Sequence, residues 1–232
     1  MFGSMSSIQC VIDAMSRKGL YGMFSPPGFG KTTLMMYIAH KLSVSGHKCL
    51  IFSLEMSREK WIDRMHELRM NTDHIVIDDT MGTDMNRIRE IICREKPQIV
   101  FIDYLALLKD EYAALIRMKR IAYDFSLSVL VSGNLVRSSG DRDPFYRRPD
   151  LYDLTYLQSN KGTIEEMHCA IHSMDLIMFL HRHHDCDRGI GVAHRYNLSN
   201  SAELIIIKGH TSLRHLPNCC CFDMRDLEGG EK

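Results

Sequence analysis

The chain has no net charge, no CxxC cysteine pair, no internal repeat and no low-complexity tract. Nor does any apolar run approach the ~20 residues of a membrane span. Each absence closes a class. With 29 basic residues against 29 acidic ones, a generally basic nucleic-acid coat is excluded, while a local basic patch stays open. Residues 1–7 lack the basic-then-apolar layout of a signal peptide, and no membrane partner is expected. The 8 cysteines are scattered and, in a chain with the loop described next, read as reduced intracellular thiols. What is present is a 45% hydrophobic chain of 232 residues. That is enough for one sizeable α/β domain and too little for two full ones.

The most specific stretch is Ser25-Pro-Pro-Gly-Phe-Gly-Lys-Thr-Thr33. It follows the apolar run 20–24 and leads into a helical pattern over 31–42. Strand, glycine loop, Lys-Thr and helix together make a phosphate-binding loop. Gly28 and Gly30 let successive backbone N–H groups of the segment from Ser25, Pro26 and Pro27 through Phe29 turn toward one anion. The helix opening at Lys31 aims its positive end at the same point. The Lys31 ammonium can reach the β- and γ-phosphates of ATP, and the Thr32 hydroxyl, followed by Thr33, can ligate Mg²⁺. Ser25 stands where the motif has its first glycine.

Around this loop, apolar strands alternate with amphipathic helices. A short helix is expected over 8–15, within an N-terminal extension 1–18. Strands are expected at 20–24, 48–54, 74–77, 98–103, 128–132 and 175–180, the longer ones continuous apolar runs suited to burial on both faces. Helices are expected at 31–42, 58–69, 83–94, 111–125 and 162–173. The pattern predicts a mostly parallel central sheet flanked by helices. It closes with a C-terminal β-hairpin made by 202–208 and 218–224. Residues 137–161 read as a long surface loop, 181–201 as loop, and 225–232 as a flexible tail.

Polar residues fall at the carboxyl ends of these strands, where such sheets bind ligands. Asp103 after four apolar residues is a Mg²⁺-side carboxylate. Glu55 is placed to take a proton from the water attacking the γ-phosphate. Asn134 can hydrogen-bond that water or the phosphate. Singly, each carboxylate could be a strand-end solubiliser or a helix cap. Together behind the loop they form a nucleotide hydrolysis set.

Ile51-Phe-Ser-Leu-Glu-Met56 and Ile102-Asp-Tyr-Leu-Ala-Leu-Leu108 resemble the corresponding segments of DnaB-type replicative helicases, as does the glycine loop, whose first glycine that family often lacks. Asp150-Leu-Tyr-Asp153, Gly162-Thr-Ile-Glu-Glu166, the stretch 175–182 and Ala202-Glu-Leu-Ile-Ile-Ile-Lys208 are similar to later motifs of the family. The resemblance runs from about residue 20 to 222. It implies a RecA-like P-loop NTPase core that hydrolyses ATP with Mg²⁺, assembles as a homo-oligomeric ring of six and moves on single-stranded DNA. It further implies a setting in the cytoplasm of a bacterial or phage-infected cell. The family's N-terminal helical domain and linker helix have no counterpart in these 232 residues. Asn134 stands where the family has Gln. Lys208-Gly-His210 stands where it has the Lys-x-Arg pair that reaches a neighbour's ATP, so Lys208, His210 and Arg214 are the expected trans-acting cations. Two other readings stay open: a RecA-like recombination or repair ATPase that does not unwind, and a non-hydrolysing regulatory or loader-like module.

Arg137, Arg147 and Arg148, with Arg142, could follow a DNA backbone; Asp141, Asp143 and Asp150 partly offset them. Two His- and Cys-rich stretches, 181–187 and Cys219-Cys-Cys221 with His210 and His215, raise a metal reading. Adjacent cysteines on a strand alternate faces and cannot all bind one ion, so reduced thiols are expected there.

Overall fold

The computed structural model of the chain describes residues 6–108, 111–135, 149, 154, 164–184, 198–209 and 219–227. Among these, one 8-stranded sheet organises the molecule. Its strands are β1 (Gly19–Ser25), β2 (Cys49–Ser53), β3 (Ile75–Asp78), β4 (Ile99–Asp103), β5 (Ser128–Asn134), β6 (Leu176–His184), β7 (Leu198–Gly209) and β8 (Cys219–Asp223), in the spatial order β3-β2-β4-β5-β1-β6-β7-β8. Pairing is parallel from β3 through β6, and antiparallel between β6 and β7 and between β7 and β8. The hairpin expected at the C-terminus is β7–β8.

The apolar runs become strands because both faces of the sheet are covered. Every residue of β1, β2 and β4 is buried. One face packs on α1 (Ser6–Met15), α2 (Lys31–Val44) and α3 (Arg58–Glu67), through Val11, Met15, Leu34, Ile38, Trp61 and Met65. The other packs on α4 (Met85–Glu95), α5 (Glu111–Asp124) and α6 (Ile164–Ser173), through Ile88, Ile92, Leu115, Met118, Ala170 and Met174. Helix ends follow local chemistry. Asp84 caps α4 by accepting from the Asn86 and Arg87 N–H groups. α4 stops at Lys96, in the left-handed region just before Pro97.

Three expectations change. β6 continues to His184 and β7 begins at Leu198, so the stretch expected as loop over 181–201 is strand at both ends, because β6 and β7 pair out to His184 and Leu198. Within 137–161, Pro149 and Leu154 are the described residues, and both are buried; Leu154 joins the core beside α5 and α6, so this segment is not wholly surface. Residues 225–227 are not tail: Met224–Leu227 form a 3₁₀ turn, held because Leu227 is fully buried in the core shared with α1 and α2.

One buried polar contact ties the parallel strands together. Asp175, just before β6, accepts the Leu20 N–H and pairs with Lys119 of α5. Its two oxygens therefore join β1, β6 and a helix at the sheet edge away from the glycine loop.

Candidate nucleotide site

The loop after β1 folds as its residues require. Gly28 and Gly30 both take positive φ, 79° and 96°, the left-handed region that favours glycine. Ser25 is fully buried at the end of β1, and Phe29 turns its ring inward. Lys31 opens α2 and is itself buried. Its Nζ donates to the Ser25 carbonyl at 3.0 Å, the Ser25 Oγ at 3.1 Å and the Pro26 carbonyl at 3.1 Å. Burial pushes the Lys31 ammonium down to about 8, against the pull of Asp103 and Glu55. The serine that replaces the motif glycine thus supplies an acceptor to the loop's own lysine.

Asp103 lies at the end of β4, separated from β1 by β5. The Thr32 hydroxyl nevertheless donates to its Oδ2 at 2.9 Å. From the intervening strand, the Ser132 hydroxyl donates to Oδ1 at 2.7 Å. Burial holds the Asp103 carboxyl above its usual range, with the Ser132 and Thr32 hydrogen bonds and Lys31 opposing.

These groups line one cleft of about 430 Å³ with Pro27, Gly28, Gly30, Thr33, Glu55 and Asn134. Glu55 comes from the turn after β2, where the Ser53 hydroxyl bonds the Met56 carbonyl and Leu54 N–H donates to the Asp103 carbonyl. Asn134 ends β5 directly beside Ser25. The strand-end residues singled out in the sequence therefore converge on one cavity. The hydroxyl–carboxylate pair offers hard oxygen donors suited to Mg²⁺. The positive-φ glycines leave the loop backbone open above it, since nothing lies within 4 Å of a Cβ built on Gly28.

Several cleft residues were not identified from sequence. Lys60 and Arg64 face the cleft from α3, and Arg64 Nη2 donates to the Thr33 Oγ1 at 2.7 Å. The helix is turned this way because Trp61 and Met65, also four apart, are fully buried on the opposite side. Tyr104 lines the cleft beside Asp103. Met224, at the start of the C-terminal 3₁₀ turn, sits over Gly30, with its Cε 2.6 Å from where a Cβ there would be.

Other predicted residues are not brought here. Arg137, Arg147, Arg148, His210 and Arg214 lie outside the described residues. Lys208 is described by its backbone: on β7 it pairs with Ile177, which pairs with Gly22 of β1. That level is below Ser25 and two strands away, a lateral offset of about 10 Å at the usual strand spacing.

A family model described as DnaB-like helicase C terminal domain matches residues 66–213, well over half of the chain. Among solved structures, one free-standing ATPase domain has a TM-score of 0.63 at 22% identity, covering 84% of this chain and 78% of that one. A DnaB-like replicative helicase, reported with its interactions with primase, has a TM-score of 0.63 at 22% identity over 85% of this chain, which spans 55% of that longer one. The flagellar accessory protein FlaH from Methanocaldococcus jannaschii has a TM-score of 0.59 at 10% identity, covering 92% of this chain and 90% of that one. These likenesses are of fold, and the RecA-like α/β architecture expected from sequence is the one shared. No curated protein matches the chain.

Proposed function

The chain belongs to the DnaB-like helicase C-terminal domain family, and from that premise we propose that it binds ATP with Mg²⁺ in the cleft around Lys31. It hydrolyses the nucleotide and uses the turnover to translocate on single-stranded DNA as part of a homo-oligomeric ring, six subunits by analogy with the family. The observation that carries the reading is the Thr32–Asp103 contact of 2.9 Å, with Glu55 lining the same cleft.

The residues divide the work. The loop N–H groups from Gly28 to Thr33 bind phosphate oxygens at the positive end of α2. Lys31 exchanges its bonds to the Ser25 and Pro26 oxygens for the β- and γ-phosphates. Thr32 and Asp103 are the groups that would hold Mg²⁺, which when bound neutralises charge on the phosphate oxygens. Glu55 accepts the proton of the attacking water, and Asn134 orients that water or the γ-phosphate. Arg64, held by Thr33, adds positive charge on the α3 side of the phosphates. Lys208, with His210 and Arg214, acts on a neighbouring subunit's nucleotide. Arg137, Arg147 and Arg148 contact DNA phosphates.

The test is the ATPase rate with and without single-stranded DNA, together with strand displacement on a forked duplex. DNA-stimulated turnover with displacement is expected. Stimulated turnover without displacement would favour a recombination or repair ATPase, and no turnover would favour a nucleotide-binding regulatory module.

A further inference from the structure

At the far end of the sheet from the Glu55 side, three strands carry ligating side chains that the nucleotide cleft does not use. β7 pairs with β8 so that Glu203 is opposite Cys221 and Ile205 opposite Cys219. β6 pairs with β7 so that His181 is opposite Glu203. Residues directly opposite in antiparallel strands point to the same side. His181, Glu203 and Cys221 therefore form one cross-strand row, and Cys219 shares their face by the two-residue period. Cys220 between them points the other way, fully buried in the core that includes α1 and α2. Burial pushes its thiol up to about 11. Alternation thus sorts the three consecutive cysteines into one inert core thiol and two that share a site.

The spacing of that pair is informative. The Cys219 and Cys221 Sγ atoms are 3.8 Å apart, and both lie within 4.8 Å of a Glu203 carboxylate oxygen. Two thiolates bound to one tetrahedral zinc at ~2.3 Å each stand about 3.8 Å from one another. Glu203 is buried and the two thiols are half-buried, so ionising all three together requires a counter-charge among them. We propose that Cys219, Cys221 and Glu203 form a binding site for a thiophilic divalent cation, Zn²⁺ in preference to Mg²⁺, with His181 next in the row for the fourth position. Two sulfur donors set the preference, since hard Mg²⁺ selects oxygen ligands. Binding releases the thiol protons and clamps β8 to β7. β8 runs directly into the turn whose Met224 lies over Gly30 of the phosphate loop, so the clamp steadies the strand that supports that contact.

The test uses the full chain, stripped of metal and kept reduced with a non-thiol reductant, and titrated with Co²⁺. A thiolate-to-cobalt charge-transfer band should grow to one equivalent per chain, vanish on adding one equivalent of Zn²⁺ and persist in excess Mg²⁺. The Cys219→Ser/Cys221→Ser double variant should lose the band while its metal-free circular dichroism matches that of the parent. Cys220→Ser should keep it, and Glu203→Gln should weaken Co²⁺ affinity about 10-fold or more. Absence of the band in the parent chain, its displacement by Mg²⁺, or its survival in the double variant would each overturn the site. None of these readings depends on ATP turnover.

Discussion

Lys31 Nζ and the Ser25 carbonyl oxygen are joined by a 3.0 Å hydrogen bond across the phosphate loop. The cation that serves the phosphates is thus held by the loop itself, and burial lowers its pKa to about 8. Phosphate charge must raise that value again on binding, because an adjacent anion favours the ammonium.

The linkage has a defined sign. Below pH 8 Lys31 is protonated both with and without nucleotide, and affinity does not depend on this group. As pH rises through 8, the free chain loses the proton while the complex keeps it, so ATP affinity falls, by at most about tenfold per pH unit. Calorimetric titration with a non-hydrolysable ATP analogue, in buffers of different ionisation enthalpy, should show uptake of a proton near pH ~9 and little at about pH 6.5. Lys31→Ala should abolish tight binding altogether. Equal proton exchange at the two pH values would separate Lys31 from the phosphates.

Glu55 and Asp103 share the cleft but differ in setting. Asp103 is buried and hydrogen-bonded to Thr32 and Ser132, whereas Glu55 is exposed. Glu55→Gln should keep nucleotide affinity and slow hydrolysis about 10²-fold or more, the usual weight of a positioned base. Asp103→Asn should weaken Mg²⁺-dependent binding as well. Single-turnover rates and analogue affinities measured side by side separate the two roles. Normal hydrolysis by Glu55→Gln would place the base elsewhere.

How much of this was legible in the sequence depended on range. The glycine loop, Glu55, Asp103 and Asn134 announce themselves because strand, turn and polar residue are contiguous in the chain. Lys60 and Arg64 carried a readable signal that went unused: two cations four apart, immediately after Glu55 and out of phase with the apolar pair Trp61 and Met65. Ser132 carried none. A serine in an apolar strand reveals its role only when β5 is known to lie between β1 and β4. The burial of Leu227 was likewise hidden, since its partners on α1 and α2 are far away in sequence.

Gly30 separates backbone strain from steric contact. A Cβ there would meet only the far end of Met224, a flexible side chain, but the φ of 96° is strained for any L-residue. Gly30→Ala should cost about 1–2 kcal/mol in urea unfolding, the usual penalty of the left-handed region. Adding Met224→Ala should not recover it, leaving a coupling below about 0.5 kcal/mol between the two changes. Recovery of most of the loss would assign the cost to the Met224 contact instead.

Lys208 tests whether the nucleotide site is shared between subunits. Its backbone is level with Gly22 rather than Ser25, two strands from β1. A lysine side chain reaches roughly 6 Å, short of an offset of about 10 Å laterally alone. A role for this residue at its own chain's phosphates is therefore disfavoured by topology, and a role at a neighbour's is not. Charge that builds on the transferring phosphoryl oxygens would then meet a cation only on assembly, which couples turnover to ring geometry. His210, with an ordinary pKa near 6.5, would be mostly neutral at about pH 7 unless phosphate holds its proton, so Lys208 should carry most of the effect and Arg214 the remainder. Lys31→Ala and Lys208→Ala chains, each inactive alone, should regain part of the ATPase rate when mixed, because a shared pocket can then be assembled from intact halves. No recovery at any mixing ratio, in a sample shown by mass to contain both chains in one assembly, would reject delivery across the interface.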